Sequence, residues 1–224
     1  MRAEAGHDLY AVRRRIMVER QLAPRGVRDN LVLEAMGEIP RELFVEEALR
    51  GQAYSDSALP IGHGQTISQP FIAARMTELI QANRSHRVLE IGTGTGYQTA
   101  LLARIAGMIH SIERVAALAE KARRNLAALG FDNVEIQVGD GTLGWPERAP
   151  FDRILVAAGS PQVPRSLLAQ LAPGGRLLLP VGGEQSQVLT LVDSTADGLV
   201  SRQDVECVFV RLIGEEGWPQ EEQP

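Results

Sequence analysis

Apolar and polar positions divide the chain into three zones. From residue 9 to about 50 the apolar residues recur at helical spacing. Asp29 is suited to cap a helix running through Met36, and Pro40 to open another over residues 41–50. Residues 51–69 break the pattern, because Gly51, Pro60, Gly62 and Gly64 interrupt it and no period is sustained. A loop of that length in a compact domain is either functional or a linker between a helical cap and the main body. From Pro70 onward helices and strands alternate. Ile72, Met76, Leu79 and Ile80 mark the apolar face of a helix. Residues 87–91 read as a strand, 97–106 as a helix and 108–113 as a strand. Val115, Leu118, Ala122, Leu126 and Leu129 form a helical stripe that Gly130 ends. Strands follow at 134–138 and 151–157, a short helix at 166–171, and a strand at 176–181 after Pro173-Gly174-Gly175.

This alternation predicts an α/β fold, a Rossmann-like, doubly wound and mostly parallel sheet with helices on both faces. Residues 188–192 and 199–210, separated by Asp197-Gly198, predict an antiparallel hairpin at one edge. We expect a single domain over residues 1–224. Its parts are a flexible extension (1–16), an N-terminal helical cap with an active-site loop (17–69), the core (70–214) and an acidic, frayed tail (215–224). Met17 is an alternative start to Met1.

Composition narrows the chemistry. A formal charge of −5 gives no general attraction to nucleic acid or anionic membrane, so neither is expected as a partner. With Lys121 as the single lysine, Schiff-base and P-loop chemistry have almost nowhere to sit. The lone Cys207 excludes an internal disulfide and a cysteine-rich metal site; in its apolar run it reads as a small buried hydrophobe, and no metal is expected. No stretch reaches a membrane span and the N-terminus lacks a signal-peptide core, so the natural reading is a cytoplasmic protein, taken here as a monomer.

The strand at 88–91 runs into Gly92-Thr93-Gly94-Thr95-Gly96, and a helix follows. Glycines at such a junction let the backbone turn tightly and a ligand approach it, at the crevice beyond the carboxyl ends of the strands. Tyr97 stands where the dinucleotide fingerprint wants glycine, and no Gly-Lys-Ser/Thr follows. Glu113 ends the next strand, about where an acidic residue accepts from ribose hydroxyls. Asp140, between Gly139 and Gly141, either accepts from an adenine amino group or belongs to a plain turn; beside Gly92 and Glu113 the first reading is preferred. This constellation is that of enzymes using S-adenosylmethionine (SAM). Thr93 lies within the loop, and Glu90 either holds the loop or meets the cofactor's ammonium group.

The long loop ends Ile61-Gly62-His63-Gly64-Gln65-Thr66-Ile67-Ser68-Gln69-Pro70. Gln65, Thr66 and Ser68 beside flexible glycines, leading to a helix N-terminus, suit an anion; the alternative is an ordinary cap by Ser68 or Gln69. No strong base is evident. His86 and His110 fall at strand edges, where surface roles are expected, and His63 is the one histidine in the loop. A carboxylate acceptor needs no base, since it is already an anion near neutral pH.

Leu59 to Pro70, Ile39-Pro40-Arg41-Glu42, Val88 to Tyr97, Gly139-Asp140-Gly141, Phe151-Asp152, Pro173-Gly174-Gly175-Arg176 and Pro180-Val181-Gly182 together resemble the protein-L-isoaspartate O-methyltransferases. The resemblance implies methyl transfer from SAM, leaving S-adenosylhomocysteine, to the free carboxylate of L-isoaspartyl residues in damaged proteins and peptides, which starts repair through a succinimide. It also implies an active-site role for Ser68, read as a hydrogen bond to the acceptor carboxylate with Thr66 assisting. Cofactor contacts are implied for Glu90, Gly92, Thr93, Gly94, Gly96, Glu113, Asp140 and Gly141. Substrate contacts are implied for Ile61, His63, Gln65, Val210 and Arg211. One departure is Arg211, where family members commonly carry proline; it either alters peptide preference or sits on the outer face. The alternatives are a SAM methyltransferase with a small-molecule acceptor, a SAM-binding protein without catalysis, and a NAD-dependent oxidoreductase, against which Tyr97 argues.

Overall fold

The computed structural model describes residues 2–220, with side chains from residue 9 onward. Helix α1 (Arg2–Met17) covers most of the stretch expected as an extension, and a π-helical turn, Val18–Leu22, continues it. Helix α2 (Asn30–Glu38) starts where expected, with the Asp29 side chain accepting from Leu31 N at 2.9 Å.

The helix expected over 41–50 does not form. Two 3₁₀ turns, Arg41–Leu43 and Glu47–Gln52, stand there. Arg41, Glu42, Phe44 and Val45 are all buried, so their side chains are needed on more than one side of the chain, which a single helical face cannot supply. The loop expected over 51–69 likewise contains structure, a small antiparallel hairpin of β1 (Leu59–Gly62) and β2 (Gln65–Ile67). It turns through His63 and Gly64, both left-handed at φ 55° and 69°.

Helix α3 (Pro70–Ile80) opens with proline in its first turn. Then come β3 (Arg87–Ile91), α4 (Tyr97–Ile105), β4 (Met108–Glu113), α5 (Ala116–Ala128), β5 (Val134–Val138), β6 (Phe151–Val156), α6 (Arg165–Ala169), β7 (Leu171–Gly182), β8 (Gln187–Thr195) and β9 (Gly198–Cys207). The seven-stranded sheet has the order β5-β4-β3-β6-β7-β8-β9. Its first five members are parallel, while β8 and β9 add the antiparallel edge hairpin.

Strand alternation fills both faces. Val88, Ile109, Leu155 and Leu178 join one apolar cluster with α3, α4, α5 and the N-terminal segment; Leu89, Ile91, Ile154, Leu177 and Leu179 join another around Phe151 and Leu167. His110, expected at the surface, is instead 3% exposed, edge-on to Trp145 and Phe151. Burial holds its pKa below the usual histidine value, reinforced by Arg87. Cys207 is buried as expected, and burial pushes its thiol up to about 11.

After β5 the chain returns to lay β6 beside β3, so the order reverses between β3 and β6. That reversal opens a crevice at the carboxyl ends of β3 and β6. Among the described residues no helix is long and apolar enough to cross a membrane.

Candidate active site

The chain leaves β3 through Gly92, Gly94 and Gly96, all at positive φ (92°, 57° and 97°). A Cβ at Gly94 would lie 3.2 Å from Ile61 Cδ1 and one at Gly96 3.3 Å from Ala122 Cβ, so the loop is also closely packed. Its floor is polar. Glu90 Oε2 accepts from Thr99 Oγ1 and Ser111 Oγ, each at 2.6 Å, and Ser111 Oγ meets Thr93 Oγ1 at 2.6 Å. Glu90 is fully buried and lines none of the clefts described below; its Oε2 braces the loop from beneath, while its Oε1 has no hydrogen-bond partner among the described residues. Desolvation raises its pKa to about 7, against the hydrogen bonds from Ser111 and Thr99.

Glu113 sits at the carboxyl end of β4. Its Oε2 accepts from Gly94 N at 2.8 Å and its Oε1 from Val115 N at 2.9 Å. A carboxylate oxygen can take two donors, so the side chain still has acceptor capacity toward the crevice. Asp140 is more occupied. Its Oδ1 caps the turn Gly141–Leu143 through Thr142 N and Thr142 Oγ1, and its Oδ2 accepts from Glu215 N. Gly141 lines the crevice; Asp140 supports it from behind.

Three clefts meet here. The first encloses about 620 Å³, open mouth included, between the glycine loop, Glu113, Gly141 and residues 210–213. The second, about 390 Å³, shares Ile61, Thr66, Gly92, Gly94 and Ala157 with it and adds Thr93 and Ser68. The third is an outward groove of about 690 Å³ between residues 56–58 and 206–209, reaching Thr66 and Ser68. Thr66 borders all three, and Ser68 the second and third. Neither hydroxyl has a hydrogen-bond partner among the described residues. Ser68 does not cap α3, and Gln69, at the cap position, makes no side-chain cap bond either.

Of the other expected substrate contacts, Ile61, Gln65, Val210 and Arg211 line the first cleft. His63 does not line the three clefts; it is exposed at the hairpin turn, with a left-handed backbone at φ 55°. Arg211 faces this cleft and pairs with Glu184 at 3.3 Å. β9 ends at Cys207, short of the expected residue 210. The chain beyond it crosses to the sheet, where Val210 O accepts from Gly159 N and Leu212 N donates to Gly159 O.

Sequence reasoning missed several participants. Arg114 also lines the first cleft, beside Arg211; it directly follows Glu113, which was the available signal. Residues 206–209 gave none, since they lie far in sequence from the glycine loop, whereas residues 56–58 fall inside the long loop already singled out. The acidic tail is tied down at its start. Glu216 accepts from Ser166 N and Oγ at the first turn of α6, and Trp218 Nε1 donates to Gly159 O.

The family model described as Protein-L-isoaspartate(D-aspartate) O-methyltransferase matches residues 13–217. Protein-L-isoaspartate O-methyltransferase 1 of Rhodopseudomonas palustris is 54% identical over 211 residues, covering 93% of this chain and 86% of its own length. The Geobacter metallireducens protein-L-isoaspartate O-methyltransferase is 52% identical over 214 residues, covering 95% and 99%. A solved protein-L-isoaspartate O-methyltransferase aligns with a TM-score of 0.81 at 33% identity, over 91% of this chain and 67% of that one. A Plasmodium falciparum beta-aspartate methyltransferase structure in complex with S-adenosyl-L-homocysteine aligns at 0.74 with 25% identity, over 88% and 96%.

Proposed function

The chain belongs to the protein-L-isoaspartate(D-aspartate) O-methyltransferase family, and on that premise we propose that its clefts divide the work of methylating an isoaspartyl carboxylate with SAM. The first cleft fits the cofactor. It offers the Glu113 carboxylate for hydroxyls, a glycine loop without bulk, and the Gly141 wall backed by Asp140 for the base. A bound SAM supplies an electrophilic methyl on a sulfonium.

The observation that carries this reading is the position of Thr66 and Ser68, between the cofactor cleft and a groove open to solvent. A carboxylate entering by the groove meets two unpartnered hydroxyls at the junction. They donate to one of its oxygens and aim the other at the methyl carbon. SAM held in the first cleft would supply the methyl to that oxygen and would leave as S-adenosylhomocysteine, the acceptor as its methyl ester. No proton moves in that step, which accounts for a junction built of hydroxyls with no histidine beside them. The following backbone nitrogen then displaces methanol to close a succinimide, and water opens the ring to aspartate or isoaspartate.

On this reading the acceptor is a segment of a damaged protein or peptide presented along the groove. We take the enzyme as a cytoplasmic monomer that acts without metal, nucleic acid or membrane. The test is to incubate the protein with radiolabelled SAM and matched peptides carrying isoaspartate or aspartate. Base-labile label on the isoaspartyl peptide alone is the expected result. Label on neither peptide would overturn the assignment.

A further inference from the structure

Arg41 is fully buried, yet no carboxylate among the described residues lies within ion-pairing distance of it. Burying a cation without an anion is costly unless its donors are well used. Here Nε and Nη2 are spent on backbone, while Nη1 is buried without a hydrogen-bond partner among the described residues. Nε donates to Ala53 O and Nη2 to Ser68 O, both at 2.7 Å, so one guanidinium grips both ends of the segment that carries the β1–β2 hairpin and the acceptor hydroxyls.

The same group faces the other half of the site. Its Cζ lies 4.8 Å from the centroid of the Tyr97 ring, and Tyr97 is the first residue of α4 after Gly96. The adjoining Phe44 repeats the connection. Its carbonyl accepts from Thr95 Oγ1 at 2.7 Å, and its ring packs edge-on to Tyr97 at 5.5 Å. The short turn at residues 41–44 therefore touches the acceptor loop on one side and the cofactor loop on the other.

We propose that Arg41 is a positioning residue for methyl transfer: it locks the backbone of Ser68 to the start of α4 and so fixes the distance and angle between acceptor and methyl donor. This rests on the function proposed above. In-line displacement is sensitive to such geometry, and a misplacement of about 1 Å costs roughly 10²-fold in rate. Lysine cannot replace the fork, because two carbonyls in different directions need the planar guanidinium.

The test compares wild type with Arg41→Met and Arg41→Lys. The readouts are kcat and KM on an isoaspartyl peptide, and S-adenosylhomocysteine affinity by calorimetry. Arg41→Met is expected to lower kcat by roughly 10²-fold while the calorimetric affinity stays within about threefold, with Arg41→Lys between. A folded Arg41→Met with kcat within about threefold of wild type would overturn the proposal. So would an affinity loss as large as the kcat loss, which marks general loosening instead of positioning. Should Arg41→Met fail to fold, Arg41→Lys is judged by the same two criteria. A wild type that labels no isoaspartyl peptide would remove the parent reading and this one with it, whereas a wild-type-like variant removes only this one.

Discussion

Glu113 accepts a hydrogen bond from the amide of Gly94 at 2.8 Å, tying the end of β4 to the middle of the glycine loop. The carboxylate therefore shapes the loop as well as facing the cleft. On the reading proposed above, removing it takes away a charge-assisted acceptor for the cofactor as well as an anchor for the backbone, together about 1.5–3 kcal/mol. Glu113→Ala should raise the KM for SAM roughly 10–100-fold with a smaller effect on the peptide KM. Steady-state kinetics with each substrate varied in turn will show it, and an unchanged SAM KM would contradict the role.

Ser68→Ala should act on the other substrate. Its hydroxyl has no partner within the described protein, so the substitution breaks nothing in the fold. The loss of one hydrogen bond to a charged acceptor corresponds to roughly 10–100-fold in kcat/KM for the peptide. Calorimetric S-adenosylhomocysteine binding should be unaffected. Full activity in this variant would leave Ser68 with no part in acceptor binding.

Glu90 makes stability depend on pH in an unusual direction. Between the ordinary carboxyl value of 4.5 and about 7, the folded protein retains a proton that the unfolded chain has released. Its contribution is thus intact below pH 4.5 and lost as pH rises through 7, at about 1.4 kcal/mol per pH unit and on the order of 3 kcal/mol in all. Other carboxyls, such as Glu78 and Glu216, are shifted downward and contribute in the opposite sense at lower pH. The diagnostic is therefore the difference between wild type and Glu90→Gln. Denaturant titrations from pH 4.5 to 8 should show the variant gaining on wild type as pH rises; parallel curves would refute the shift.

Gly141→Ala should test the wall of the cofactor cleft. A Cβ there would sit 2.3 Å from Ile91 Cγ2, at the end of β3, so either the turn or the strand must move. Overpacking of this kind costs about 1–3 kcal/mol. We expect a lower melting temperature together with weaker S-adenosylhomocysteine binding, because the displaced backbone is cleft lining. A variant with unchanged affinity would place Gly141 outside the base-binding wall.

The parallel core was legible because its strands alternate two apolar clusters, as Val88 against Leu89 and Ile91 shows. Glu113 was legible because a strand end and a glycine loop fix its place. The β1–β2 hairpin was not, since strands of four and three residues with Pro60 and three neighbouring residues at positive φ leave no period to read. Arg41 hid for a different reason. Its neighbours suggest an ordinary helix, and the two carbonyls that hold it lie 12 and 27 residues away. Contacts of that separation are set by tertiary packing, so local spacing carries no trace of them. His110 was misplaced at the surface by its position near a strand end, while the two aromatic rings that cover it come from beyond β5.

The segment from Val210 to Trp218 closes the first cleft, holds Asp140 through Glu215 and caps α6 through Glu216. Synthesis of the chain therefore finishes its sheet before its binding site. A nascent chain that has emerged only as far as Cys207 has every strand in hand but an open nucleoside pocket. On the reading proposed above, the first cleft has its full wall only once residues 210–218 have docked against Gly159, Asp140 and α6.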